Sequence, residues 1–426
     1  MSVKVKLQSL TGMHDILPQD QIYLKKIHKS VESIANYYNF QRIDTPILEN
    51  AEVFLKGMGV TTDIVEKEMY TFRTRGGDLV ALRPELTAGI ARSYIEHGMH
   101  NLPQPMKLWT MDHCFRHERP QTGRYRQFLQ FDFETIGDRS PSIDGQIIQM
   151  GYDVLRDLSF KNLNIEVNSI GDSGCRPYFK KIITGYLKSK KSSLCSNCQR
   201  RLKDNPLRVL DCKDEKCQQV KTGAPQIIDH LCDSCHTHFK QVLEFLDELE
   251  LPYSLNPHLV RGLDYYDKTI FEIIEKSDGG SAQGSLVGGG RYDGLIKILG
   301  GRDTPACGAA GGVNRIMNLI KARKNIVEKK EAKIFLAQLG QLAKRKSLKL
   351  FEQFRSAKIP LAESFSKDSL RAQLKMADKM NVRWVLIFGQ KEALENFITL
   401  RDMKTGAQKE VKIDQVVQEM KKKIKD

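Results

Sequence analysis

A chain of 426 residues is long enough for two to four domains, each with its own core, and its 40% apolar content is that of a soluble globular protein. No apolar run is long enough to cross a bilayer as a helix and the first residues carry no signal-peptide pattern, so a soluble protein in the cytoplasm is the expectation. A net charge of +15 favours nucleic acid or an anionic membrane as partner, basic residues that serve only solubility being the alternative; nine cysteines, an odd number, argue against a disulfide framework.

Helices and short strands alternate from Leu10 to Gly171. Gly12–Asp20 reads as a loop entering a helix. Ile22, Ile27, Val31 and Ile34 then recur at helical spacing and predict a helix over Gln21–Tyr38. Between Phe115 and Glu134 the chain reads FRHERPQTGRYRQFLQFDFE, two strand-like runs flanking a basic turn. A helix is expected over Gly145–Leu158 and a strand over Asn164–Ile170. Composition then shifts near Cys175, and the stretch to Pro257 is polar, helical in spacing and rich in cysteine, which reads as an insertion domain. The alternating pattern resumes at Arg261. Ile320–Ala332 is a charged linker. Beyond it come a strand at Ile334–Leu339, a helix at Lys344–Ser356, a short strand, a helix at Asp368–Met380 and a strand at Trp384–Phe388, the pattern of a small α/β domain. The expected division is 1–172, insertion 173–257, 258–322, linker 323–332 and C-terminal domain 333–426. Lysine-rich stretches at 321–333 and 421–425 read as solvated linker and helix end.

Chemistry concentrates in the hairpin. Side chains alternate faces along a strand, so Arg116 and Glu118 share one face of the first run. Gln130, Asp132 and Glu134 share one face of the second, with Phe131 and Phe133 opposite. Arg119, Arg124, Tyr125 and Arg126 crowd the turn. Acids, amides and an arginine on one face, below an arginine-rich tip, suit a ligand that is both nucleotide and polyanion.

FRxE followed by a basic loop resembles motif 2 of class II aminoacyl-tRNA synthetases, and the fuller FRHERPQTGRYRQF resembles the histidyl-tRNA synthetase family in particular. LRPELTAG (Leu82–Gly89), RGLDYY (Arg261–Tyr266), GGGRYDGL (Gly288–Leu295) and GAAGGVNR (Gly308–Arg315) agree with that family in order and spacing. TPILEN (Thr45–Asn50) resembles motif 1, whose Pro46 lies at a subunit interface, so the resemblance implies a homodimer. It also implies an α+β fold: a catalytic domain built on an antiparallel sheet flanked by helices, with a helical insertion and a C-terminal anticodon-binding domain. The implied activity is ATP-dependent activation of L-histidine and its transfer to histidine tRNA, with Mg2+ accompanying ATP.

The site residues implied by the resemblance follow position by position. Arg116 and Arg261 are the catalytic pair on the α-phosphate, where arginines stay charged and bind oxygens in fork geometry. Arg315 reaches the γ-phosphate, and Glu118 accepts from the adenine amino group. Glu85, Leu86 and Thr87 contact the amino end of histidine. Gln130, Glu134, Tyr266 and Tyr292 line the imidazole pocket, with Tyr265 at its border, and Arg116, Arg124 and Arg261 lie beside the carboxylate and phosphate. Arg119, Gln121 and Arg124 are expected at the acceptor end of the tRNA. Leu86, Leu129, Ala309 and Asn314 depart from the usual residues, and Asn314 bears on the support of Arg315.

Two other readings compete. A regulatory subunit of an ATP phosphoribosyltransferase shares the catalytic fold but has eroded motifs and lacks the last domain. A synthetase for proline, threonine or glycine would not carry RGLDYY and GGGRYDGL. Six cysteines between Cys195 and Cys235 raise a separate question. Paired C-x-x-C units fit a structural zinc, with Cys195, Cys198, Cys232 and Cys235 as the first-choice ligands, Cys212 and Cys217 as rivals, and His236 and His238 behind them. Reduced cysteines without metal are the alternative.

Overall fold

The basic hairpin forms the middle of a large sheet. In the computed structural model, residues 7–59, 62, 64–120, 123–210, 212, 214–276, 284–323 and 333–425 are described, and the chain divides into two units, Met1–Val327 and Glu328–Asp426. In the first, β1 (Gln41–Arg42), β2 (Met106–Phe115), β3 (Gln127–Ile136), β4 (Leu163–Ser169), β5 (Tyr253–Leu255), β6 (Asp267–Glu275), β7 (Val287–Arg291) and β8 (Ala306–Gly312) make one eight-stranded sheet. The order is β1-β2-β3-β8-β7-β6-β4-β5. The inner strands are all antiparallel, and each short edge strand, β1 and β5, pairs parallel with its neighbour.

The alternation read from the hairpin holds. β2 and β3 pair from Met106↔Ile136 to Phe115↔Gln127, leaving Arg116–Arg126 as the connecting loop. Phe131 and Phe133 are fully buried on one face with Trp109. Burying such side chains contributes about 1.5–3 kcal/mol each, which fixes the register strongly. Gln130, Asp132 and Glu134 are also buried, on the opposite face.

Eight helices matter to the site: α1 (Gln21–Tyr37), α2 (Thr87–Glu96), α3 (Pro141–Asp157), α4 (Cys175–Ser189), α5 (Ser196–Asp204), α6 (Glu215–Thr222), α7 (Asp233–Glu248) and α8 (Val313–Ala322). α3 starts earlier than its apolar spacing predicts. Ser140 caps it by accepting from the Ser142 N–H, and Pro141 sits at the first helical position, where a missing N–H costs nothing. α1, α3, α7 and α8 place Val31, Ile147, Val242 and Ile316 against the Phe131–Phe133 face. α2 and the helix Ala51–Met58 cover the other face with Ile90 and Phe54 beside Leu108 and Ile136.

The segment expected as one insertion has two parts. α4, α5 and α6 close over a core of their own, with Phe179, Ile183, Leu187, Val209 and Ile227. α7 does not join it: Phe239, Val242 and Leu246 form a stripe at helical spacing that packs into the main core, and β5 then pairs with β4. Polar composition marked the whole stretch, but only three-dimensional packing decides which core an apolar stripe enters.

A three-stranded sheet, Leu48–Asn50, Tyr70–Arg73 and Leu79–Leu82, carries the second half of the TPILEN segment. Its register puts Leu48, Tyr70, Phe72, Val80 and Leu82 on one face, with Leu48 and Phe72 exposed.

In the second unit β9 (Ile334–Gln338), β10 (Leu361–Glu363), β11 (Trp384–Phe388), β12 (Phe397–Asp402) and β13 (Gln408–Lys412) run in the order β10-β9-β11-β12-β13. The first three are parallel and the last two antiparallel. Helices Gln341–Ser356 and Leu370–Lys379 make the crossovers. The β12–β13 pair and the helix Val416–Lys425 extend the α/β pattern beyond what the sequence reading traced. No described helix is long and apolar enough to cross a membrane.

Candidate active site

A cavity of about 410 Å³ opens beside the hairpin, and Arg116, Glu118, Arg124, Gln130, Arg261 and Arg315 all line it. Arg116 stands one residue beyond β2. Its Nε donates to the Pro84 carbonyl at 2.8 Å, and its guanidinium lies 5.3 Å from the centre of the Phe128 ring. Arg261 precedes β6 and pairs with Glu272, while its guanidinium lies over Tyr266 at 5.7 Å. Burial works against its charge, yet Glu272 holds its pKa above the usual arginine value. Gly288 lies directly opposite Glu272 in the register, and a Cβ there would come within 2.5 Å of Arg261 Nη1. Only glycine leaves the guanidinium its path across β7.

Arg315 lies in the first turn of α8 and donates through Nη1 to the Ser285 carbonyl at 2.7 Å. Burial and the nearby Arg124 lower its pKa. Asn314, one of the departures, accepts through Oδ1 from the Leu129 N–H at 2.6 Å and ties the start of α8 to β3. Arg124 sits 3.5 Å from Glu118. Arginines crowded around one cavity repel one another, and an anionic ligand relieves that repulsion.

Against this cavity lies a buried polar cluster. Glu134 receives hydrogen bonds from Thr87 Oγ1 at 2.6 Å and from the Tyr292 hydroxyl. Glu85 caps α2, accepting from the N–H groups of Thr87 at 2.7 Å and Ala88 at 2.8 Å; Leu86, at the cap position itself, is fully buried. Gln130 Nε2 donates to Asp132 Oδ1 at 2.8 Å, and Asp132 Oδ2 has no hydrogen-bond partner among the described residues. Tyr265 packs its ring 4.7 Å from Tyr266 and 5.7 Å from Tyr292. Burial raises the pKa of Glu85, and burial with Asp132 beside it raises that of Glu134. Burial also pushes Asp132 up to about 8, and lifts Tyr292 well above the usual phenol value with Glu134 as the next cause. Desolvated carboxyls of this kind are best satisfied by a ligand that is cationic or rich in N–H groups.

The structure therefore brings Arg116, Glu118, Arg124, Gln130, Arg261 and Arg315 to the cavity. Glu85, Leu86, Thr87, Glu134, Tyr265, Tyr266 and Tyr292 lie in the buried region on the same side of the sheet. Arg119 is exposed in the hairpin loop, and Gln121 lies outside the described residues. Glu272 was missed as the partner of Arg261, although a charged residue inside the apolar run Ile270–Ile274 is a legible signal. Arg201 and Arg208 also line the cavity, from the insertion. Nothing in their polar helical surroundings marks them out in the sequence.

The cysteine expectation is corrected. Cys195 and Cys198 cluster with Cys212 and Cys217, whereas Cys232 and Cys235 cluster with Asp172 and Cys175. A C-x-x-C pair fixes two ligands on one turn, but helix packing decides which second pair meets it. His236 belongs to neither group, and His238 instead faces Asp144 at 3.2 Å.

The family model described as histidyl-tRNA synthetase matches residues 12–316, and that of an anticodon-binding domain matches 333–423. The histidine–tRNA ligase of Dehalococcoides mccartyi is 43% identical over 419 residues, covering 98% of this chain and all of the relative. That of Syntrophotalea carbinolica is 41% identical over 421 residues, covering 99% of this chain and all of the relative. Among solved structures, apo histidyl-tRNA synthetase of S. aureus is similar at a TM-score of 0.80 and 31% identity, over 98% of this chain and 100% of that one.

Proposed function

The chain belongs to the histidyl-tRNA synthetase family and ligates histidine to tRNA, and from that premise we propose how its residues divide the work. Histidine is first activated with ATP to histidyl-adenylate and pyrophosphate, then passed to the 3′ end of its tRNA. The single observation that carries the assignment of roles is one cavity faced by Arg116, Arg261 and Arg315 and backed by the buried carboxyl–tyrosine cluster.

In the first step the histidine carboxylate attacks the α-phosphorus, and pyrophosphate leaves. Arg116 and Arg261 take the charge that grows on the α-phosphate oxygens, and being held beforehand they pay little reorganisation as it develops. Arg315 binds the γ-phosphate, and Glu118 accepts from the adenine amino group. ATP arrives as its magnesium complex; such an ion is held mainly by phosphates with one or two carboxylates, and Glu272, beside Arg261, is an acid that would hold it.

Glu85 and Thr87 receive the amino end of histidine, with Leu86 between them. Gln130, Glu134, Tyr266 and Tyr292 surround the imidazole, Tyr265 backs them, and Arg124 lies beside the carboxylate. A site built to hydrogen-bond a substrate in this way rejects analogues lacking those groups, because its own buried polar atoms would be left unpaired. In the second step a terminal ribose hydroxyl attacks the adenylate carbonyl, AMP leaves, and a phosphate oxygen of the adenylate takes the proton. Arg119, Gln121 and Arg124 meet the acceptor end, and the domain from Lys333 takes the anticodon arm.

The protein acts as a cytoplasmic homodimer in this reading. The apolar face of Leu48, Tyr70, Phe72, Val80 and Leu82, on the sheet that carries motif 1, supports that assembly. The deciding experiment is exchange of pyrophosphate into ATP with each amino acid in turn. Histidine alone is expected to drive it; exchange driven by proline or glycine but not histidine overturns the assignment.

A further inference from the structure

We propose that the chain binds two structural zinc ions, one at Cys195, Cys198, Cys212 and Cys217 and the other at Asp172, Cys175, Cys232 and Cys235. In each set the four ligand atoms lie within 4.8 Å of one another. Cys195 Sγ and Cys212 Sγ are 3.8 Å apart. A thiolate tetrahedron around zinc, with Zn–S of about 2.3 Å, has edges of about 3.8 Å. A disulfide would bring the sulfurs to about 2.05 Å, so these are unbonded sulfurs at the spacing a shared ion requires.

The two sets are built alike from separate pieces of chain. Cys195 and Cys232 each open a C-x-x-C pair and stand at the N-cap of a helix, α5 and α7 respectively. In each set the backbone N–H of that first cysteine donates to a sulfur across the cluster: Cys195 to Cys217 Sγ at 3.3 Å, and Cys232 to Cys175 Sγ at 3.2 Å. Such N–H donors favour the thiolate over the thiol and orient it, as the groups around metal ligands do. Asp172 is held in the same manner, its Oδ1 accepting from the N–H of Gly174 at 2.9 Å and of Cys175 at 3.2 Å.

Ligand chemistry selects the ion. Four thiolates, or three with a carboxylate, suit zinc; magnesium and calcium need all-oxygen shells. An iron–sulfur cluster seats its cysteines on separate irons and would spread the sulfurs more widely than a single ion does. All the cysteines except Cys114 and Cys307 fall into these two sets.

The positions give each ion a task. The first lies in the insertion's own core, where Cys198, Cys212 and Cys217 are buried. The second lies at its neck, joining the residues that follow β4 to the start of α7, where the chain returns to the main core. From the insertion so fixed, Arg176 Nη1 donates to the Asp264 carbonyl at 3.5 Å, Asn205 Nδ2 to Asp264 Oδ1 at 3.3 Å, and Arg208 to the Gly262 carbonyl. Those contacts hold the segment directly after Arg261. This last link rests on the role given to Arg261; the two ions do not.

The test is elemental analysis of the full chain purified without chelator, with X-ray absorption at the zinc edge. About two zinc per chain are expected, in a sulfur-dominated shell near 2.3 Å with a minor oxygen component. Cys198→Ser and Asp172→Asn should each retain about one. Wild-type protein needs no variant to fold: less than about a tenth of an equivalent of zinc overturns the proposal. So does a single equivalent that survives in neither or both variants, or stoichiometric iron in place of zinc. Removal of zinc by chelator should lower the thermal midpoint, and an unchanged midpoint with the metal gone defeats the structural role.

Discussion

Arg261 depends on what lies beneath it as much as on its own charge. Arg261→Ala is expected to slow histidine-dependent pyrophosphate exchange on the order of a hundredfold or more, roughly 3–4 kcal/mol at the transition state, with a much smaller change in histidine affinity. Gly288→Ala should mimic much of that loss with the arginine intact, because the added methyl occupies the guanidinium's path. Single-turnover activation close to wild type in either variant argues against this role. Asp132 makes a different prediction. Burial lifts its carboxyl to about 8, so the folded chain binds a proton there more tightly than the unfolded chain does. The stability linked to that proton is complete below the usual carboxylate range near pH 4, and is lost as pH rises toward about 8. Asp132→Asn should therefore gain thermal stability over the wild type as pH rises through that window, in the absence of ligand. A thermal gap independent of pH would show that the carboxyl carries no such cost.

At the scale of elements, the hairpin was the most legible part of the chain, because a two-residue alternation fixes which side chains share a face. Phe131 and Phe133 against Gln130, Asp132 and Glu134 follow directly from it. The motif arginines were legible by pattern, and their convergence needed the antiparallel order of β3, β8, β7 and β6, which joins segments far apart in the chain. Packing choices were not legible: α7 looked like part of the insertion, and the two C-x-x-C pairs looked like each other's partners. Both depend on helix faces meeting across long sequence separations. The hairpin loop carries its own prediction. Arg119→Ala and Gln121→Ala should slow transfer of histidine to tRNA while leaving pyrophosphate exchange nearly intact. Arg119→Ala should also make tRNA binding less sensitive to salt, lowering the slope by about one ion released. Equal losses in both assays would place the defect in folding or ATP binding instead.

For the whole molecule, the C-terminal unit has a core of its own, with Ile334, Leu350, Phe354, Leu386 and Leu400. Ending the chain at Val327 is therefore expected to raise the KM for tRNA by an order of magnitude or more and to spare adenylate formation and dimerisation. Aminoacylation kinetics unchanged by the truncation would remove the anticodon-arm role. The neck of the insertion has another consequence. Asp172 and Cys235 offer ligand atoms within 4.8 Å of each other, so the chain leaves the main fold and rejoins it at nearly one place. What lies between is a cartridge in a socket: it can be enlarged, shortened or exchanged while every strand of the main sheet keeps its neighbours, and a change within it reaches the chemistry through Gly262 and Asp264 and through Arg201 and Arg208 at the cavity wall.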